Sequence, residues 1–125
     1  MSARAPIGMV VLGAVLLSGC ATNHDKYAWG SYDPALYAYY KSPAKVTELA
    51  QTLQDTISTS DSKHVPVAPG LRAEYGYLLL QQGNSAQAVV YFQAEEQQWP
   101  ESKLFMDRMI QVASSGQRAP KAKEP

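Results

Sequence analysis

From Val46 to Val112 the apolar residues return every three or four positions, and prolines and glycines cut that rhythm at short intervals. A chain that must bury one stripe every ~3.6 residues folds into amphipathic helices. Half-buried strands need strict alternation instead, and no stretch here shows it. Val46, Leu49, Ala50, Leu53 and Ile57 form one stripe, and Leu71, Tyr75, Leu78 and Leu79 a second. Ala88, Val89, Phe92 and Trp99 form a third, and Leu104, Phe105, Met109 and Val112 point inward from a fourth. With a helix over Asp33–Lys41, the pattern predicts an all-α fold of about five helices.

The breaks have their own chemistry. Ser42 before Pro43 reads as a capping hydroxyl followed by proline at the first helical position of a segment over Pro43–Ser58. Ile57 to Ser62 is rich in Ser and Thr, and Pro66, Pro69 and Gly70 separate it from the next helix. Gly83 suits a left-handed helix end, and Asn84 with Gln87 three places on reads as a capping box. Pro100 stops the following helix, and a last one spans Ser102–Ala113.

Helix pairs joined by short turns invite a search for a repeat. Pro69 to Ser102 resembles one tetratricopeptide unit: counting Pro69 as position 1, Tyr75 and Gly76 fall at 7 and 8, Leu79 at 11, Gly83 at 15, Ala88 at 20, Phe92 at 24 and Pro100 at 32. Small residues at Gly76 and Ala88 let two helices approach, with Tyr75, Leu79 and Phe92 filling the gap between them. Arg72 stands where that family favours Trp, and Glu95 where it favours Ala. An earlier degenerate unit over Asp33–Lys41 and Pro43–Ser58 would make residues 33–113 a TPR-like array, with an irregular helical bundle as the other solution. So small a body buries only about 60–65% of its unfolded surface. It therefore calls for support from a partner, a second copy or the segment before it.

That segment is rich in rings. Tyr27, Trp29, Tyr32, Tyr37, Tyr39 and Tyr40 account for six of the chain's 12 aromatics. At helical spacing Leu36, Tyr39 and Tyr40 pack inward while Tyr37 looks elsewhere. Tyrosine and tryptophan combine a large apolar face with one polar handle, which suits a core and an interface equally. Tyr27, Trp29, Tyr32, Tyr37 and Tyr77 are the interaction candidates.

Composition excludes more than it assigns. Eleven Lys and Arg balance 11 Asp and Glu, so there is no basic surplus of the kind nucleic acid selects. One cysteine allows no internal disulfide and no thiolate-built zinc site, and two histidines leave little for a metal centre. Glu95 and Glu96 are adjacent on a helix and point about 100° apart, which makes them poor acid–base partners. His64 lies in a Ser/Pro-rich loop without a cysteine or a plausible nucleophile nearby. The reading is a non-enzyme with no cofactor, no metal and no small-molecule substrate evident in its motifs.

The cysteine carries an address instead. Arg4 precedes an apolar stretch from Ile7 to Leu17 that is too short for the ~20 residues of a membrane span. Leu17-Ser18-Gly19-Cys20 then resembles the bacterial lipobox, which implies a signal peptide over 1–19 and acylation of Cys20, palmitate included. Ala21 follows where an Asp would retain such a protein in the inner membrane. The resemblance therefore implies a lipid-anchored outer-membrane lipoprotein, on the periplasmic face. Residues 20–32 read as tether and aromatic segment, and 114–125 as a disordered, mildly basic tail.

Several landmarks together resemble a family of bacterial lipoproteins with a DUF4810-type domain. They are Tyr27-Ala28-Trp29-Gly30, Leu36-Tyr37-Ala38-Tyr39-Tyr40, Pro69 through Leu78, Tyr91-Phe92, Trp99-Pro100-Glu101-Ser102 and Phe105-Met106. The resemblance implies assembly with other envelope lipoproteins, a curli-secretion-channel-like one among them, and brings no catalytic residues. A lipoprotein activator of a cell-wall synthase, a penicillin-binding protein, is the alternative within binding proteins.

Overall fold

The computed structural model describes residues 26–116, so the expected leader, the acylated Cys20 and the tail from 117 onward lie outside the described residues. Five α-helices follow one another: α1 (Tyr32–Lys41), α2 (Val46–Lys63), α3 (Leu71–Gln81), α4 (Ser85–Gln98) and α5 (Lys103–Ser114). Single 3-10 turns, Pro43–Lys45 and Pro100–Ser102, lead into α2 and α5. Among the described residues no strand forms, and one isolated parallel bridge pairs Ala28 with Val67. The protein is all-α. Each helix packs chiefly on the next along the chain, α1 on α2 through to α4 on α5. That is the neighbour-to-neighbour pattern of a helical array.

The stripes of α2, α3 and α4 meet in one core. Leu49 and Leu53 of α2, Leu80 of α3, Phe92 of α4 and Met106 of α5 are its largest fully buried apolar side chains. The α3–α4 hairpin shows why the sequence closes there. Gly83 sits at φ 84°, and its N–H donates to the Leu80 carbonyl. The Asn84 side chain accepts from Gln87 N–H at 3.4 Å. Gln87 does not return the bond to the cap backbone; its Oε1 accepts from Asn84 Nδ2 at 2.9 Å. At Gly76 a Cβ would lie 2.8 Å from the Phe92 ring and 3.2 Å from the Ala88 carbonyl oxygen. The close approach expected at Gly76 and Ala88 is therefore present, and any side chain at 76 would push Phe92 aside.

Four expectations need correction. Ser42 does not cap the second helix: it makes no side-chain capping bond, and Pro43 opens a 3-10 turn. Its backbone N–H instead closes α1 on the carbonyls of Ala38 and Tyr39. Next, α2 continues through the Ser/Thr-rich stretch to Lys63 rather than ending at Ser58. Thr56 and Ser60 extend its buried face, the first hydroxyl donating to the Thr52 carbonyl and the second to that of Val65. With those bonds made, small polar residues bury without leaving an unpaired group.

The third correction concerns α5. Leu104 and Phe105 are 76% and 63% exposed, whereas Met109 and Val112 pack on the core as expected, joined there by Met106, Ile110 and Ala113. Both faces of α5 carry apolar residues, and the inward one keeps the steady i, i+3, i+4, i+7 spacing. The fourth is Tyr40, which is 78% exposed. The inner stripe of α1 is Tyr32, Ala35, Leu36 and Tyr39, all only partly buried.

Candidate binding cleft

α3 and α5 both pack on α4, and a cleft of about 630 Å³ lies between them. Ligand sites commonly enclose ~300–1,000 Å³, so this recess is of useful size. Pro69, Gly70, Ala73, Glu74 and Tyr77 form the wall at the start of α3. Phe92, Glu95 and Trp99 of α4 and its C-terminal end line the base. Glu101, Ser102, Phe105, Met106 and Met109 form the opposite wall. Four aromatic rings and two methionines make the lining apolar, and its charged members are all glutamates.

Glu95 holds the cleft together. It is buried, and its Oε1 accepts from the Gly70 N–H at 2.6 Å, just ahead of α3. A carboxylate there satisfies a donor that the helix leaves open and faces the positive end of its dipole. Burial nevertheless raises the Glu95 pKa above the ordinary carboxyl range; the N–H groups of Gly70, Ala73 and Arg72 and the Arg72 guanidinium pull it back only in part. Its second oxygen, Oε2, is buried with no hydrogen-bond partner among the described residues, and Trp99 Nε1 shares that state.

Arg72 ties the neighbouring elements together. Its Nη2 lies 2.6 Å from Asp61 Oδ1 on α2, and its Nε donates to Gln98 Oε1 at 3.2 Å on α4. The residue that departs from the repeat pattern thus joins three helices. On the far side Lys103 Nζ pairs with Asp107 at 2.9 Å and faces Glu96 at 3.8 Å. The hydrogen bond from Lys103 to Asp107 comes first among the effects that raise its pKa.

The aromatic candidates divide. Tyr27 stands edge-on against Trp99, centroids 5.3 Å apart, behind the cleft wall. Tyr32 donates its hydroxyl to Glu74 at 2.6 Å, joining α1 to α3, and burial followed by that contact raises its pKa strongly. Trp29 leans on Tyr32 at 6.1 Å and stays exposed. Tyr37 is exposed, with Lys41 Nζ 5.5 Å from its ring centre. Tyr77 lines the cleft. Glu74, Glu95, Trp99 and Phe105 escaped the sequence reading as site residues; the one signal was Glu95 at a repeat position that favours a small side chain.

Glu95 and Glu96 diverge as expected, one toward Gly70 and the other toward Lys103. His64 ends α2 in a left-handed conformation at φ 54°. Among the described residues no group of three His, Cys, Asp or Glu is placed to hold a metal, and no helix is long and apolar enough to cross a membrane.

Fold and cleft together define a small helical-array domain with an acidic, aromatic recess. The family described as "Domain of unknown function (DUF4810)" matches residues 26–109, well over half of the chain, and the chain belongs to that family. No curated protein and no solved structure matches it.

Proposed function

We propose that this chain is a non-enzymatic adaptor, fastened to the periplasmic face of the outer membrane through acyl chains on Cys20. In this reading it helps assemble an envelope complex with other lipoproteins, a curli-secretion-channel-like one among them. The observation that carries the proposal is the open, apolar cleft between α3 and α5, with Phe105 exposed at its edge. Clustered aromatic and methionine side chains beside water are what protein interfaces are made of. The lipobox-like Leu17-Ser18-Gly19-Cys20 supports the anchor, since two or three acyl chains hold a protein on a bilayer at ~0.8 kcal/mol per buried CH₂.

Photo-crosslinking from position 105 in intact cells tests the role. Recovery of a neighbouring envelope lipoprotein is the expected result. A penicillin-binding protein as the sole product would replace the assembly role with synthase activation. Mass spectrometry of the native N-terminus tests the anchor independently: unmodified Cys20 in a chain that still carries Met1 would overturn it.

A further inference from the structure

We infer that the cleft between α3 and α5 receives a peptide segment of a partner protein in which a lysine or arginine lies close in sequence to a bulky apolar side chain. This rests on the adaptor reading and adds the chemistry of what is bound. Charge complementarity chooses the ligand. Glu74, Glu95 and Glu101 are the charged residues of the lining. The cations nearby are engaged elsewhere, Arg72 with Asp61 and Gln98, Lys103 with Asp107 and Glu96. An acidic recess with aromatic walls favours a cation on an apolar stem, through charge-assisted hydrogen bonds and the faces of the rings.

Two unpaired groups indicate a peptide and not a free amine. Glu95 Oε2 wants a donor and Trp99 Nε1 an acceptor, and both belong to residues that line the cleft. A simple amine or a metal ion offers no acceptor for the indole N–H. A peptide brings backbone carbonyls together with its cationic side chain, so it can answer both. The exposed Phe105 of the lining gives the apolar neighbour of that cation a surface to lie on.

The test uses the full-length chain in detergent with Trp29→Phe, which leaves Trp99 as its one tryptophan and hence the reporter. The probes are acetylated nonapeptides with Leu or Phe within three residues of Lys or Arg, in both orders, and matched sets carrying Glu or Gln instead of the cation. The cationic set is expected to shift Trp99 emission and bind about tenfold tighter than the Gln set, the size of one charge-assisted contact. Added salt and Glu101→Gln should each weaken that binding, with the helical circular-dichroism signal unchanged. Equal binding of the Gln or Glu set, blocked by Phe105→Ser, overturns the cationic assignment while leaving the adaptor reading standing. No response to any peptide, with a crosslinked partner still recovered from position 105, overturns the assignment as well. Failure of both experiments removes the two together. A shift in peptide-free emission on replacing Arg118, Lys121 and Lys123 with Gln would make the chain's own C-terminal residues the occupant and overturn the partner.

Discussion

α1 and the α3–α4 hairpin are both helical, yet they are held by different physics. The hairpin buries Tyr75, Leu78, Leu79, Leu80, Ala88 and Phe92, with Gly76 admitting the Phe92 ring. α1 has no fully buried residue and is secured by half-buried rings, the Tyr32–Glu74 hydrogen bond and the neighbouring Ala28–Val67 bridge. Packing of the first kind is cooperative and intolerant of change in volume. Attachment of the second kind is local, so α1 belongs to the part of the molecule that opens first. Helices of one array can thus be held in different ways: the α3–α4 pair by deep packing, α1 by contacts nearer the surface.

Substitutions can break this contrast. Phe92→Ala should cost about 3–5 kcal/mol, the usual range for emptying a fully buried aromatic site. Urea titration of full-length protein would show it as a lower midpoint for the whole chain, and a loss under ~1 kcal/mol would mean that the hairpin is not the keystone. Tyr32→Phe removes one hydrogen bond and should cost about 1 kcal/mol. Amide exchange is expected to accelerate in α1 and remain unchanged in α3 and α4. Equal acceleration throughout would show that α1 is an integral part of the core.

A smaller effect concerns pH. Because the Glu95 pKa is raised in the folded chain, the folded state holds that proton more tightly than the unfolded state. Its contribution to stability is full below the ordinary glutamate pKa of about 4.3 and is lost as pH rises through the higher folded value. The melting temperature of Glu95→Gln should therefore gain on that of the parent as pH rises above the ordinary glutamate pKa of about 4.3. A variant that instead falls further behind the parent as pH rises would mean that the capped end of α3 needs the full negative charge. Tyr37→Ala should have the least effect on stability, within ~0.5 kcal/mol for an exposed site away from special contacts. Complex recovery from cells should fall more than thermal stability does, and the reverse pattern would place that ring in the core.

Much of the hairpin was legible in the sequence. A left-handed glycine, an Asn cap and a small residue facing an aromatic each have a local signature, and Gly83, Asn84 and Gly76 sit as those signatures require. The α5 face was not legible: Leu104 and Phe105 outweigh Met106 and Ala113 in hydrophobicity, and periodicity alone does not choose between two apolar faces of one helix. The extension of α2 was hidden for another reason. Thr56 and Ser60 resemble a break until their carbonyl partners are seen, and the Val65 carbonyl lies past the end of the helix. The cleft was hardest to foresee. It arises between helices that are not consecutive, and its central Glu95 acts on Gly70, 25 residues earlier in the chain.

The serial packing of the helices has a mechanical result. α5 leans on α4, with Trp99 and the Pro100–Ser102 turn as its only covalent link to the body. Of the two walls that frame the recess, the α3 wall is braced by α2 as well as α4, and the α5 wall rests chiefly on α4. A change in α5 therefore reaches the other helices through α4, because Met106 and Ala113 carry α5 into the shared core.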